Sequence, residues 1–454
     1  NTLSTKNYSK ISNSETYYIN IVLTSKITVI PFYYLSLQRI HEINIVIRST
    51  IMYKLLPISI FLIFSSFIYA QEASQWRGEN RDGIYNETGL LKKWPTSGPK
   101  LLWHYDKLGD GHASASVTKN RIYTSGTSGE NGFVIAFDYQ GKTLWKTIYA
   151  QEWLESYEGV RTTPLIHKDK LYIMSGYGNV VCMNAQSGEI IWKVDLFKDY
   201  DGRNIVWGVT ENLLIDGEKL ICTPGGITAN VIALNKNTGK LIWKSRGNGE
   251  KSAYCSPALI NHGNKKIIVT QTEKHILGID AANGKLLWKH PQTNRYSVHA
   301  NTPLYSNGYL YCVSGYGKGG VQLKISDDGN SVKEMWRNSS LDTRMGGVIL
   351  IGNQLFGSGD YSRKWVCLDW KTGKELFTSK ILKNGNLIYA DGMLYCYDQA
   401  GYVALVEPKN ASYNLISKFK VPYGYKQHWA HLVIHNKKLY VRHGTSLMVY
   451  YIGN

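Results

Sequence analysis

Cysteine is scarce and never clustered: 6 occur in 454 residues, with no C-x-x-C, no C-x-x-C-H for haem attachment and no Cys/His group at zinc spacing. Cys182, Cys222, Cys255, Cys312, Cys367 and Cys396 fall in separate strand-like runs. Each therefore reads as a single buried thiol acting as a small apolar side chain, not as half of a disulfide. Acidic residues are also in short supply, 34 Asp and Glu against 52 Lys and Arg, for a formal charge of +18. That imbalance favours anionic partners through long-range attraction. The bases, however, are scattered through turns such as "GKTLWK", "GKLIWK" and "NKKLY", where they keep a β-rich surface soluble and blunt strand edges. No basic run or recognised module accompanies them, and nucleic-acid binding is not expected.

Long apolar runs are lacking too, apart from "MYKLLPISIFLIFSSFIYA" at 52–70. It opens on Lys54, is too short and too polar at its flanks to anchor a membrane, and ends on the small residue Ala70, which is the pattern of a secretory signal peptide. Ile68 stands where a third small residue is preferred. No Cys follows Ala70, which argues against a bacterial lipid anchor, so the expected location is periplasmic or secreted and the chain is not expected to span a membrane. Residues 1–51 contain no Met and are rich in Asn, Ile, Ser and Tyr; they read as a non-native upstream extension. Residues 71–454 read as one domain.

What the chain has in abundance is repetition. "ALNKNTGKLIWKS" (233–245) recurs as "CMNAQSGEIIWKV" from Cys182, "GIDAANGKLLWKH" from Gly278, "AFDYQGKTLWKT" at 136–147 and "CLDWKTGKELFTS" at 367–379, with looser copies at 324–338 and 409–420. Aligning the terminal aromatic gives Trp103, Trp145, Trp192, Trp243, Trp288, Trp336, Phe377 and Phe419, at steps of 41 to 51 residues. In each phrase an Asp or Asn (Asp138, Asn184, Asn235, Asp280, Asp369) can bond its own backbone two residues on, and a following Gly tolerates positive φ. Two further runs upstream, such as "TPLIHKDKLYIMSG" and "TPLYSNGYLYCVSG", alternate apolar and polar residues. A unit of four short strands repeated at this period predicts an all-β, eight-bladed β-propeller of four-stranded antiparallel blades.

The two ends complete each other. Trp103 in "GPKLLWHYD" has no three strands before it, and "HLVIHNKKLYVRHGTSLMVYYI" (431–452) supplies three strands without an aromatic phrase. The N-terminal strand is thus expected to be the outermost strand of the last blade, closing the ring and removing an exposed edge.

The repeated phrase of Asp or Asn, turn, Gly-Lys, two residues and Trp resembles the tryptophan-docking repeat of the quinoprotein-dehydrogenase-like propellers. The opening "QWRGENRDGIYNETGLLKKWP" (75–95) and the internal "WGVTENLLIDGEKLICTPGG" (207–226) are similar to the small secreted pyrroloquinoline-quinone-like repeat proteins. The resemblance implies that the eight aromatics are structural and pack between blades. It also frames two functions: a quinone-dependent alcohol dehydrogenase, or a cofactor-free propeller such as the subunit of the outer-membrane barrel-assembly machinery. A shared fold does not choose between them.

In a propeller the residues ahead of each innermost strand form a ring at one mouth of the central channel. They are His112, Arg161, Trp207 with Glu211, Tyr254, His299 with Asn301, Arg344, Asn386, and His428 with His431. Convergent polar groups make this ring the expected ligand site, and its two arginines suit a carboxylate or phosphate; a plain water-filled channel with a wet rim is the competing reading. The resemblance implies that a dehydrogenase would need a Trp beneath the quinone, Ca²⁺ held by carboxylate and amide oxygens, a carboxylate base and a pair of adjacent cysteines. No adjacent Cys pair exists, although Trp207, Trp429, Glu211, Asn301 and Asp360 supply the other residue types. The leading expectation is a monomeric binding or scaffold propeller with an envelope protein, or a small anionic or carbohydrate ligand, as partner and with no cofactor or metal. The alternative is an oxidoreductase acting on an alcohol or sugar with pyrroloquinoline quinone (PQQ) and Ca²⁺. "GYGKGG" (315–320) matches G-x-G-x-x-G, but a strand follows it, so it reads as a hairpin turn. The histidines at 428, 431, 435 and 443 are not expected to share a metal, since alternate strand residues point to opposite faces.

Overall fold

The computed structural model of this protein describes residues 21–23, 26–28 and 74–454. The chain divides into two units, Asn1–Ala70 and Gln71–Asn454. In the first, only an antiparallel pair, Ile21–Leu23 with Lys26–Thr28, is described. The signal-peptide expectation at 52–70 lies outside the described residues.

The second unit is an eight-bladed β-propeller. Blade 1 is Ser116–Val117, Ile122–Ser128, Asn131–Phe137 and Thr143–Gln151, counted from the hub outward. Blades 2 to 7 begin on the inner strands Leu165–His167, Leu214–Asp216, Ala258–His262, Leu304–Ser306, Ile349–Ile351 and Gly385–Ala390. They end on the outer strands Ile190–Asp195, Leu241–Ser245, Leu286–Pro291, Val332–Asn338, Glu375–Ser379 and Asn414–Lys420. Blade 8 is Val433–His435, Lys438–His443 and Ser446–Tyr451, completed by Lys100–Tyr105 from the N-terminal side, with Val449 opposite Trp103. The hydrogen bonds of that last pair close the ring.

The turns work as their residue types dictate. The first side-chain oxygen of Asn184 accepts from Gln186 N at 2.7 Å, and Asp138, Asn235, Asp280 and Asp369 do the same two residues on. The glycine that follows has a second duty. Gly188 sits at φ +75°, and a Cβ there would lie 2.5 Å from Trp145 of the preceding blade. The indole of Trp145 lies over this turn, and its Nε1–H donates to Ala185 O at 3.2 Å. Trp103, Trp192, Trp243 and Trp336 repeat the arrangement on Tyr139, Lys236, Ala281 and Trp370. An outer-strand aromatic thus bolts one blade to the turn of the next, and burying such a ring stabilises more than any single polar contact in the seam.

The core follows from this bolting. The buried apolar residues form eight clusters, and each spans two neighbouring blades. Three aromatics depart from the pattern, among them Phe419, which lies opposite Val403, two residues past the bulge of its strand. Trp288 is buried but its Nε1 has no acceptor, because blade 5 replaces the common turn with "SDDGNS". Phe377 has no N–H to donate and is 38% exposed, but it still reaches across the seam, its ring 6.5 Å from Tyr413 in the turn of the next blade.

A bulge accompanies the aromatic in seven blades. Cys182 faces Trp192 while Met183 faces Ile190, so Ile191 is skipped; Leu102, Leu144, Ile242, Leu287, Met335 and Leu376 are skipped in the same way. The extra residue re-aims the aromatic toward the seam and turns its apolar predecessor to the outer rim, where Ile191 is 46% exposed.

Cysteines 182, 222, 312, 367 and 396 lie in strands of five different blades, and all six thiols are buried and free. Cys255 is the exception to the strand expectation. It sits in the loop ahead of blade 4, with its Sγ donating to Asn301 O at 3.3 Å. "GYGKGG" joins Tyr309–Ser314 to Gly319–Ile325 as a hairpin turn.

Candidate functional site

The hub is occupied at one face by the chain's own segment 74–85. Ser74 pairs with Ile166 of blade 2, and Ile84–Tyr85 adds a parallel strand to Tyr389–Ala390 of blade 7. Between them two arginines fan out to the inner strands. Arg77 donates to Val348 O at 3.0 Å and Leu387 O at 3.1 Å. Arg81 donates to Asn212 O and Pro257 O at 2.9 Å each, and to Leu213 O. Strands converging on a hub leave carbonyls with no neighbour to pair with, and the guanidinium forks satisfy them. Burial pulls both arginines down to about 10. The channel is closed at this face: "QWRGENRD" is a plug.

Above the plug lies a cavity of about 190 Å³. Trp76 forms its floor, with His431 edge-on at 4.9 Å. Its walls are aromatic, and neighbouring rings touch in sequence: His112 to Trp429 at 4.8 Å, Trp429 to Tyr157 at 5.4 Å, Tyr157 to Trp207 at 6.4 Å and Trp207 to Tyr254 at 6.2 Å. Interplanar angles of 38° to 77° make a bowl and not a parallel slot. Tyr157, Tyr254 and Tyr316 present their rings from the left-handed region, at φ 52°, 63° and 59°, a conformation that costs roughly 1–2 kcal/mol each and persists where the surrounding structure imposes it.

Two half-buried arginines enter the bowl. Arg161 donates to Trp207 O, and Trp207 N donates to Tyr254 Oη at 3.1 Å. Burial pulls the Arg161 guanidinium below its ordinary value, opposed chiefly by Glu152. Arg344 pairs through Nε with Asp360 at 3.0 Å. His112 is 8% exposed, and neither of its ring nitrogens has a partner. Burial first, then the cations Arg442 and Arg161, push it down to about 3, so it is a neutral imidazole.

Of the residues expected at the mouth, His112, Arg161, Trp207, Tyr254, Arg344 and His431 line this cavity. The others do not, and each has a structural partner. Glu211 is 3% exposed and its Oε1 accepts from Thr223 N at 3.0 Å. His299 meets Ser314 Oγ at 2.6 Å, Asn301 donates to Thr343 O at 2.8 Å, and Asn386 donates to Ala430 O at 3.2 Å. His428 meets Tyr397 Oη at 2.6 Å and stacks on His443 at 3.7 Å, a proximity that alternation along strands does not suggest. Asp360 serves Arg344 from outside the wall. Tyr157, Tyr316 and Trp76 were missed, because a lone aromatic in a loop carries no periodic signal; Trp76 lies in the 75–95 stretch that had carried only the family resemblance.

No Asp or Glu lines the cavity, and among the described residues no three His, Cys, Asp or Glu side chains converge as a metal site. Ca²⁺ requires six to eight oxygens, carboxylates among them. The residues present therefore do not fit a calcium-bound quinone in this cavity.

A family model described as outer membrane protein assembly factor BamB matches residues 130–379. The chain is 28% identical over 188 residues to the quinoprotein alcohol dehydrogenase PedH of Pseudomonas putida, covering 40% of this chain and 29% of that protein. It is 23% identical over 225 residues to the outer membrane protein assembly factor BamB of Kangiella koreensis, covering 47% and 52%. The chain thus spans 29% and 52% of the length of these two relatives. Among solved structures, BamB from Moraxella catarrhalis superposes with a TM-score of 0.57 at 15% identity, over 78% of this chain and 100% of that one; at that identity the likeness concerns the fold. The repeats, the ring of eight blades and the family match together establish that this chain belongs to the PQQ-like repeat β-propellers of the BamB-described family.

Proposed function

We propose that this protein is a binding propeller of the bacterial envelope, exported by the segment at 52–70, and that its hub cavity holds a ligand without redox chemistry. The observation that carries this reading is the composition of the cavity wall: arginine, neutral histidine and aromatic rings, with no carboxylate to hold a cation or act as a base. A quinone-dependent dehydrogenase needs a carboxylate at the reacting carbon to take up the alcohol proton. Of the carboxylates expected from sequence, Glu211 is committed to the backbone of Thr223 and Asp360 to Arg344. The relatives divide between alcohol dehydrogenases and assembly factors, and the donor set favours the second kind of role, recognition of an envelope component.

The test is reconstitution of the full chain with PQQ and Ca²⁺. Expected are no retention of quinone absorbance through gel filtration and no dye reduction with alcohols or aldoses. Stoichiometric retention together with substrate-dependent dye reduction that is lost in Trp207→Ala would overturn the proposal in favour of the oxidoreductase.

A further inference from the structure

We propose that the hub cavity is a receptor for the carboxylate-bearing ring of an acidic sugar, a uronate either free or at the end of an oligosaccharide. This rests on the binding reading above and names its ligand class.

Charge comes first. Arg77, Arg81, Arg161 and Arg442 all surround the hub, and among the described residues none of them has a carboxylate within ion-pairing distance. Arg442 lies behind His112, is 1% exposed, and keeps one η nitrogen without a partner. Buried uncompensated cations are costly to hold, and a concave site lined by one sign of charge concentrates the opposite sign. The unfilled requirement at this site is an anion. Arg161 and Arg344 are forked donors suited to a carboxylate.

The remaining donor set distinguishes which anion. The buried Trp429 Nε1–H has no acceptor, and both nitrogens of His112 are free beside it, the two rings 4.8 Å apart. Neutral imidazole offers one donor and one acceptor. That pair complements a hydroxyl, which also gives one and takes one; it does not complement a second carboxylate or a phosphate, which only accept. A hydroxyl next to a carboxylate is thus the matching edge.

Shape gives the third condition. A planar conjugated acid would sit between parallel walls, and the bowl has none, its neighbouring rings tilting by 38° to 77°. Tilted aromatic faces suit a puckered saturated ring that presents C–H groups in several directions. A cavity of about 190 Å³ is smaller than the usual site for a drug-sized ligand and takes one ring. Outside it, Tyr296 (42% exposed) and Tyr361 (54%) flank Arg295, which lies 4.5 and 5.8 Å from their centroids. This platform continues the surface for the next sugar of a chain.

The experiment is titration of the full chain, followed by intrinsic tryptophan fluorescence, with D-galacturonate, digalacturonate, D-galactose and benzoate. Galacturonate should give saturable quenching at about 0.1–1 mM, at least tenfold tighter than galactose and benzoate. Digalacturonate binding at least fivefold tighter than the monomer identifies a chain end as the source, and equal affinity identifies the free acid. Arg161→Gln should weaken galacturonate at least tenfold, and Trp429→Phe, which keeps the ring and removes the N–H, about threefold to tenfold, the scale of one hydrogen bond. Equal affinity for galactose, tighter binding of benzoate, or no quenching by either uronate overturns the inference. If uronates fail while the quinone reconstitution stays silent, only the ligand class falls; if the reconstitution succeeds, the binding reading falls with it. Should Arg161→Gln not fold, Arg344→Gln replaces it with the same expected loss.

Discussion

Arg77 Nη1 lies 3.1 Å from His431 Nδ1, while His431 Nε2 faces Met345 O at 2.8 Å. The two contacts leave one tautomer: Nδ1 accepts from the guanidinium and Nε2–H donates to the carbonyl. Burial, and then Arg77, push His431 down to about 3. An unfolded His binds its proton near 6.5, so the unfolded chain takes up a proton that the folded chain refuses. Stability is therefore complete above pH 6.5 and falls as the pH drops toward 3, by about 2 kcal/mol between pH 6.5 and 5. Urea denaturation across that range should show the decline, and His431→Gln should reduce its slope by about one proton's worth. An unchanged slope would contradict a His431 held neutral by burial.

Glu211 carries the opposite sign. Burial raises its carboxyl to about 7, with Thr223 and Arg81 pulling the other way. The folded state holds a proton that the unfolded state releases near 4.5. Its contribution is thus lost as the pH rises from 4.5 to 7, at most about 3 kcal/mol. Glu211→Gln, which can still accept from Thr223 N, should be more stable than the parent at pH 8 and no more stable at pH 4.

Removing a plug arginine should loosen the hub. Arg81 satisfies three backbone carbonyls from blades 3 and 4, and Arg81→Met leaves them without a donor. With unsatisfied buried acceptors costing about 1–3 kcal/mol apiece and partial relaxation, a loss of roughly 3 kcal/mol is expected from chemical denaturation. Limited proteolysis should then cut within residues 74–85.

The bolts between blades give a paired prediction. Trp145→Ala should cost about 3–5 kcal/mol, as other core aromatics do. Gly188→Ala, one turn away on the neighbouring blade, should also destabilise, because it needs φ +75° and would drive Cβ into the same indole. Their double mutant should cost less than the separate losses combined, since both break one contact.

Thiol chemistry offers a simple check. All six cysteines are buried and free, and burial raises Cys182, Cys255 and Cys367 to about 12. A thiol reagent should find almost nothing in the folded protein and six groups in guanidinium, with or without reductant. A reductant-dependent count would reveal a disulfide and overturn the assignment.

Period alone carried most of the architecture. An Asx residue, a glycine and an aromatic at fixed offsets are local demands, met within one hairpin, and their recurrence sufficed to count the blades and to see that the strand of Trp103 closes the last one. Even the bulge is legible in retrospect, since the residue before seven of the eight aromatics is apolar yet cannot share its face. His112, Arg161 and Arg344 were found because every blade delivers its loop to the same mouth.

The site's contents could not be read this way. Glu211 and His299 occupy the same kind of position as Arg161, yet Glu211 turns to Thr223 N and His299 to Ser314 Oγ, partners on the second strand side of their own blades that only the folded hairpin brings within reach. The plug is the clearest case: nothing local in "QWRGENRDG" asks for carbonyls from four blades, and only closure of the ring creates that set of unpaired acceptors for Arg77 and Arg81 to fill. The repeat belongs to the sequence because it depends on short-range geometry, and closure follows from the repeat by count, one end of the chain lacking the strands that the other supplies. Which mouth stays open, and what charge faces it, depend on desolvation and pairing at the hub, where residues far apart in the chain first meet.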